Sequence, residues 1–161
     1  MKRIKFLGVL VLSFFVLQSN AQPIEKWKVA DLEKFINKTD KPTILNFWAT
    51  FCVPCVEELP YFQKLVKKYD SAGVVLKLVS LDLAEAYPAK IAAFAAKQKI
   101  TVPIVFLAET NADIFCPVVD KKWSGAIPAS LFINNKKGYK IFFEDQLSEQ
   151  KLEAQILEMI K

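Results

Sequence analysis

The chain has 161 residues, a formal net charge of +5 and no histidine. This length suits one domain with one core. The absence of histidine removes His-based metal sites, Cys–His nucleophile pairs and c-type haem attachment, where a histidine would follow the second cysteine and Val56 stands instead. Three of the positive charges, Lys2, Arg3 and Lys5, lie in the first five residues and leave +2 for the rest. The remaining lysines are scattered, as on a solvated surface, so a nucleic-acid partner is not expected.

The first element is a leader. Lys2, Arg3 and Lys5 form a basic start, residues 6–17 an apolar stretch, and Ser19, Asn20 and Ala21 a small-residue end of the kind a signal peptidase accepts. The alternative is a retained membrane anchor, but the apolar stretch falls well short of the roughly twenty residues that span a bilayer core. No cysteine lies near Ala21 to carry a lipid. The expected division is a signal peptide over 1–21, cleaved near Ala21, and one soluble domain over 22–161, periplasmic or otherwise exported.

Residues 29–37 read as a short helix with Leu32, Phe35 and Ile36 on one face, and 43–48 as a buried strand. A helix over 53–69 is expected to be interrupted and kinked by Pro60. Residues 74–83 are β-rich, 88–99 helical and 102–107 a short apolar strand, followed by a less regular stretch. Strands over 129–133 and 139–143 flank the turn-forming residues 134–138 and predict a hairpin. Ser148 offers an N-cap to a last helix along which Leu152, Ile156 and Ile160 recur every four residues. Such an order implies an α/β fold, a central mixed β-sheet with helices on both faces.

The chemistry concentrates at Cys52 and Cys55, separated by Val53 and Pro54, at the junction of the 43–48 strand and the helix after it. A first thiol at a helix N-terminus is favoured as thiolate by the free N–H groups there. A second thiol one turn on can attack the mixed disulfide made by the first. Two other uses of the pair are weaker. A structural disulfide closing so short a loop gains little chain entropy, and a zinc site has only Cys116 to add. Pro54 stiffens the first helical turn.

Trp48, Ala49, Thr50 and Phe51 before Cys52, then Glu57, Glu58, Leu59 and Pro60, and later Trp123, Ser124, Gly125, Ala126, Ile127 and Pro128, resemble the thioredoxin superfamily. Within it the chain is similar to the exported TlpA/ResA-like disulfide reductases, over roughly residues 26–160. The resemblance implies a thioredoxin-like fold with a central insertion, carried about residues 87–99 and the strand after them. It implies Cys52 as nucleophile, Cys55 as the more buried resolving thiol, and Glu58 as an acid near the thiols that accepts or relays the Cys55 proton. It further implies a cis Pro128 that places Ile127 beside the disulfide, where Ile127 offers backbone hydrogen bonds to a bound segment. Phe51, Val53 and Pro54 are expected at the client-binding surface, and Trp48 and Trp123 either there or in the core. Asn46 stands where thioredoxin has a buried aspartate, and an amide cannot exchange protons as a carboxylate does.

The resemblance and the residues together imply a protein-disulfide reductase whose only redox group is the Cys52–Cys55 pair, with no dissociable cofactor and no metal. Its partners would be disulfide-bearing client proteins, apocytochrome c among the family options, and a membrane thiol relay that returns electrons; a monomer is expected. The opposite direction, oxidation of client thiols, and a non-enzymatic metal- or thiol-binding module are the alternatives. A peroxide-reducing enzyme would place threonine three residues before its reactive cysteine, where Ala49 stands. Cys116, among Ile114, Phe115, Val118 and Val119, reads as buried and inert.

Overall fold

A computed structural model describes residues 23–161; the expected signal peptide lies outside the described residues. Six strands form one sheet: β1 (Glu25–Trp27), β2 (Thr43–Trp48), β3 (Val75–Ser80), β4 (Ile104–Leu107), β5 (Ala129–Asn134) and β6 (Tyr139–Phe143), in the order β1-β4-β3-β2-β5-β6. β1 to β4, β4 to β3 and β3 to β2 are parallel, while β5 and β6 run antiparallel, so the sheet is mixed. β2 and β5 are buried along their whole lengths, which explains their largely apolar composition.

Helices cover both faces. α2 (Val53–Lys68), α3 (Ala89–Lys97) and α5 (Glu149–Ile160) pack on one side, where Leu59, Phe62, Ile91, Leu152 and Ile156 meet Ile44, Leu76 and Phe132. α1 (Val29–Lys38) and α4 (Ala112–Val119) cover the other, joining Leu32, Ile36, Phe115 and Val119 to Leu45, Phe47 and Leu131. Each such fully buried side chain contributes about 1.5–3 kcal/mol. The expected insertion is the α3–β4 unit, which lays β4 between β1 and β3.

The expected elements form, with three differences. β1 adds a three-residue edge strand that is too short to show a period. The less regular stretch contains α4, capped by the Asn111 side chain, which accepts from Asp113 N–H at 3.0 Å. Pro60 lies inside one continuous α2, so the expected interruption does not occur. Its lost N–H removes a single backbone bond, while Leu59, Phe62 and Leu65 around it are held in the core. Gly138 closes the β5–β6 turn at φ 63°, a backbone conformation that suits glycine. Ser148 caps α5 by accepting from Lys151 N–H.

Candidate active site

β2 runs through the middle of the sheet and delivers the chain, at its C-terminal end, to the start of α2. Open α/β sheets build their sites at this edge. Cys52 is the N-cap residue of α2, and its Sγ accepts from Cys55 N–H at 3.3 Å. Cys52 and Cys55 are joined in a disulfide. Cys52 retains 8% exposure and Cys55 none, the order expected of an attacking and a resolving thiol. The free N–H groups of the first turn favour thiolate at Cys52 once the bond opens.

The loop before Cys52 is clamped from the end of β3. Asp82, itself buried, accepts from Thr50 N–H at 3.1 and 3.2 Å, from Thr50 Oγ1–H at 2.5 Å and from Ser80 Oγ–H at 2.8 Å. Charge-assisted bonds of this kind are the strong class, and they fix the turn that presents Phe51. Phe51 and Val53 are 68% and 67% exposed, with Pro54 also at the surface. These side chains leave an exposed apolar patch beside the disulfide, the kind of surface that can receive a partner.

The third side is the segment before β5. Ile127–Pro128 is a cis peptide, and the Ile127 carbonyl oxygen lies 3.8 Å from Cys52 Sγ. Ile127 is half-buried and Pro128 buried, so Pro128 acts through the residue it places.

Beneath the disulfide, Glu58 sits one helical turn after Cys55, on the buried face of α2; residues three apart on a helix are neighbours. Its carboxylate is fully buried, accepting from Asn46 Nδ2–H at 2.6 Å and from Leu147 N–H at 3.1 Å. Burial pushes its pKa up to about 7, and these two hydrogen bonds oppose but do not cancel that rise. Asn46 also donates to Ser130 Oγ at 3.1 Å. A carboxyl poised near neutrality is suited to exchanging a proton.

Both tryptophans flanking the site are core. Trp48 is fully buried, its ring centre 5.9 Å from that of Phe94 in α3; β2 is buried along its whole length, so this ring is part of the core and not of an exposed surface. Trp123 packs against Phe47, Phe115 and Phe142 on the α1/α4 face, so it is core. Cys116 is free and buried there, with its pKa pushed up to about 11 by burial and by Glu144 and Asp113. Asp82, Ser130, Glu144, Gln146 and Leu147 also shape the site and carry no motif in the sequence. The Gln146 side-chain amide donates to the Pro54 carbonyl at 3.1 Å, and Glu144 accepts from the backbone before Pro128. For Asp82 a signal existed: an acid at the C-terminal end of a buried parallel strand.

The sequence profile of the AhpC/TSA family matches residues 14–138. The chain belongs to that family. A thiol-disulfide oxidoreductase ResA of Halalkalibacterium halodurans is 28% identical over 121 residues, 75% of this chain and 63% of the relative. Sporulation thiol-disulfide oxidoreductase A of Bacillus subtilis is 41% identical over 69 residues, 43% of this chain and 41% of the relative. The matched part of this AhpC/TSA chain thus spans less than two thirds of these curated relatives. A crystal structure of a thioredoxin-related protein from Neisseria meningitidis serogroup B superposes with a TM-score of 0.64 at 24% identity, over 76% of this chain and 87% of that one. The fold is thioredoxin-like, and the ResA-like resemblance of the sequence is borne out.

Proposed function

We propose that this chain is an exported thiol–disulfide oxidoreductase that reduces disulfides in client proteins. The observation that carries the reading is the placement of Cys52: N-cap of α2, disulfide-bonded to Cys55, beside the Ile127 carbonyl and ringed by exposed Phe51 and Val53. The names of the ResA and sporulation relatives point the same way.

In the reduced protein, the Cys52 thiolate attacks one sulfur of the client disulfide. The client S–S bond breaks, its other sulfur leaves as thiolate and takes a proton, and a Cys52–client mixed disulfide forms. Glu58 accepts the Cys55 proton, and the Cys55 thiolate attacks Cys52 Sγ, expelling the second client sulfur as thiolate, which takes that proton from Glu58. The client gains two electrons and two protons, one proton from Cys55 by way of Glu58 and one from solvent, and Cys52–Cys55 is left oxidised. Phe51, Val53, Pro54 and Ile127 hold the client segment.

The pair then needs an external dithiol, and a membrane thiol relay is the class of donor that serves an exported protein. The basic, apolar and small-residue leader supports export. The Val53–Pro54 dipeptide carries no cation to stabilise the reduced form, and strong oxidants owe their potential to such stabilisation; this favours the reducing direction. Clients include general misoxidised proteins or apocytochrome c before haem attachment.

The test is the Cys52–Cys55 reduction potential, measured by equilibration with dithiothreitol in the Cys116→Ala protein. A value near or below about −270 mV supports a reductase, whereas one close to −120 mV, roughly that of a strong oxidant, reverses the direction. Failure to form a reversible disulfide sinks the exchange mechanism altogether.

A further inference from the structure

Glu144 follows β6 and is only partly buried, yet its carboxylate gathers the backbone of the segment that leads into Pro128. Ser124 N–H donates to it at 3.1 and 3.2 Å, the Ser124 hydroxyl also donates, and Ala126 N–H donates at 3.1 Å. Partial burial opposes its ionisation, but the hydrogen bonds from Ser124 and Ala126 outweigh this and hold its carboxyl below the usual carboxylate range.

The same segment is fixed from two further sides. Trp123 Nε1–H donates to the Ala126 carbonyl at 2.8 Å. Gly125, at φ +95°, lies so close to α4 that a Cβ there would come within 3.1 Å of Ala112 Cβ and 3.7 Å of Cys116 Sγ. The indole and α4 hold the segment through core packing, whereas Glu144 reaches in from the strand end and binds the N–H groups of two alternate residues. Ile127, next in the chain, is left with its carbonyl 3.8 Å from Cys52 Sγ.

A loop that is mobile in the free protein must be ordered when a partner binds, and that ordering subtracts from affinity. We propose that Glu144 is a positioning residue for client recognition: it holds residues 124–126 so that the Ile127 backbone is presented preformed to the polypeptide flanking a client disulfide. This rests on the thiol–disulfide reading above and extends it to selectivity. A polypeptide disulfide draws on Ile127, whereas a small aromatic disulfide needs only the Cys52 sulfur.

The test compares Glu144→Ala, Glu144→Gln and Glu144→Asp with the unaltered protein on two substrates, insulin and 5,5′-dithiobis(2-nitrobenzoate). Loss of charge-assisted bonds predicts that Glu144→Ala raises KM for insulin about tenfold while kcat stays within about twofold. Turnover of the small disulfide should not move, Glu144→Asp should recover most of the insulin KM, and Glu144→Gln should fall between. Amide hydrogen exchange should quicken at Ser124 and Ala126 in Glu144→Ala and stay unchanged at Thr50. An unaltered insulin KM, or equal losses on both substrates, overturns the proposal while leaving the exchange mechanism intact. If the unaltered protein reduces neither substrate, the exchange mechanism falls and the proposal with it.

Discussion

Helices α2 and α4 each start a few residues after a parallel strand, β2 and β4, and each buries cysteine sulfur against the sheet. Exposure does not separate the two environments, since Cys52 retains 8% and Cys116 4%. Position along the helix does. Cys52 is the cap of α2 and receives an N–H of the first turn; at α4 the cap is Asn111, and Cys116 lies in the helix interior, where burial and two carboxylates raise its pKa to about 11. In the mechanism proposed above, the free N–H groups of the helix start favour thiolate at Cys52, whereas burial and two nearby carboxylates disfavour it at Cys116.

The contrast breaks at once if Cys52→Ser keeps disulfide reductase activity. Loss of all turnover on insulin is expected, while Cys116→Ala should cost about 1 kcal/mol of stability with turnover little changed. Next in size is Glu58→Gln, which removes the carboxyl proposed to take the Cys55 proton. Resolution of the Cys52 mixed disulfide, followed by stopped-flow, should slow about a hundredfold. In the unaltered protein that rate should fall as pH drops below about 7, where Glu58 takes up its proton.

The same carboxyl has a signature in stability. Folded Glu58 keeps its proton up to about pH 7, whereas the unfolded group releases it near 4.5. Between those values the native state binds the extra proton, so this group's contribution to stability falls as pH rises from 4.5 and is lowest above 7. Glu58→Gln should therefore be about 2–3 kcal/mol more stable than the unaltered protein at roughly pH 8.5, with the difference vanishing below about pH 4.5. Urea melts at the two pH values check this, and a constant difference would refute it.

A sharper probe moves the thiol. Asn111→Cys in a Cys116→Ala background puts sulfur at the exposed cap of α4, and the midpoint of its pH-dependent alkylation by iodoacetamide should lie below the roughly 8.5 of an ordinary thiol. A midpoint at the ordinary value would mean that something peculiar to the α2 junction governs reactivity. The smallest effect is expected of Thr50→Val. It deletes one of the bonds to Asp82 and should cost about 1 kcal/mol by thermal melting, with a modest rise in insulin KM as Phe51 loosens.

Much of the fold and site is legible in the sequence because the signals are local. Cys52 and Cys55 share a helix start, Glu58 lies at the i+3 position from Cys55, and β5 and β6 enclose an obvious turn. The unreadable parts are contacts across the fold. Asp82 reaches Thr50 across 32 residues, and Glu144 reaches Ser124 across 20; no spacing rule links them. α4 escapes notice because Pro117 sits inside an eight-residue helix whose apolar run shows no clear polar face. Trp48 is ambiguous in the sequence because an aromatic residue flanking a reactive pair suits a docking surface or the core equally, and only the central position of β2, with no exposed side, decides for the core.

The placement of β4 inside the sheet also bears on how copies of the chain meet one another. With β4 between β1 and β3, the outermost strands are β1, three residues long and carrying Lys26, and β6, carrying Lys140. A strand from another molecule would have to add across three residues on one side or alongside a lysine on the other, both poor templates for pairing. The fully buried strands β2, β4 and β5 stay interior, so among the described residues sheet-to-sheet polymerisation finds no long open edge from which to grow.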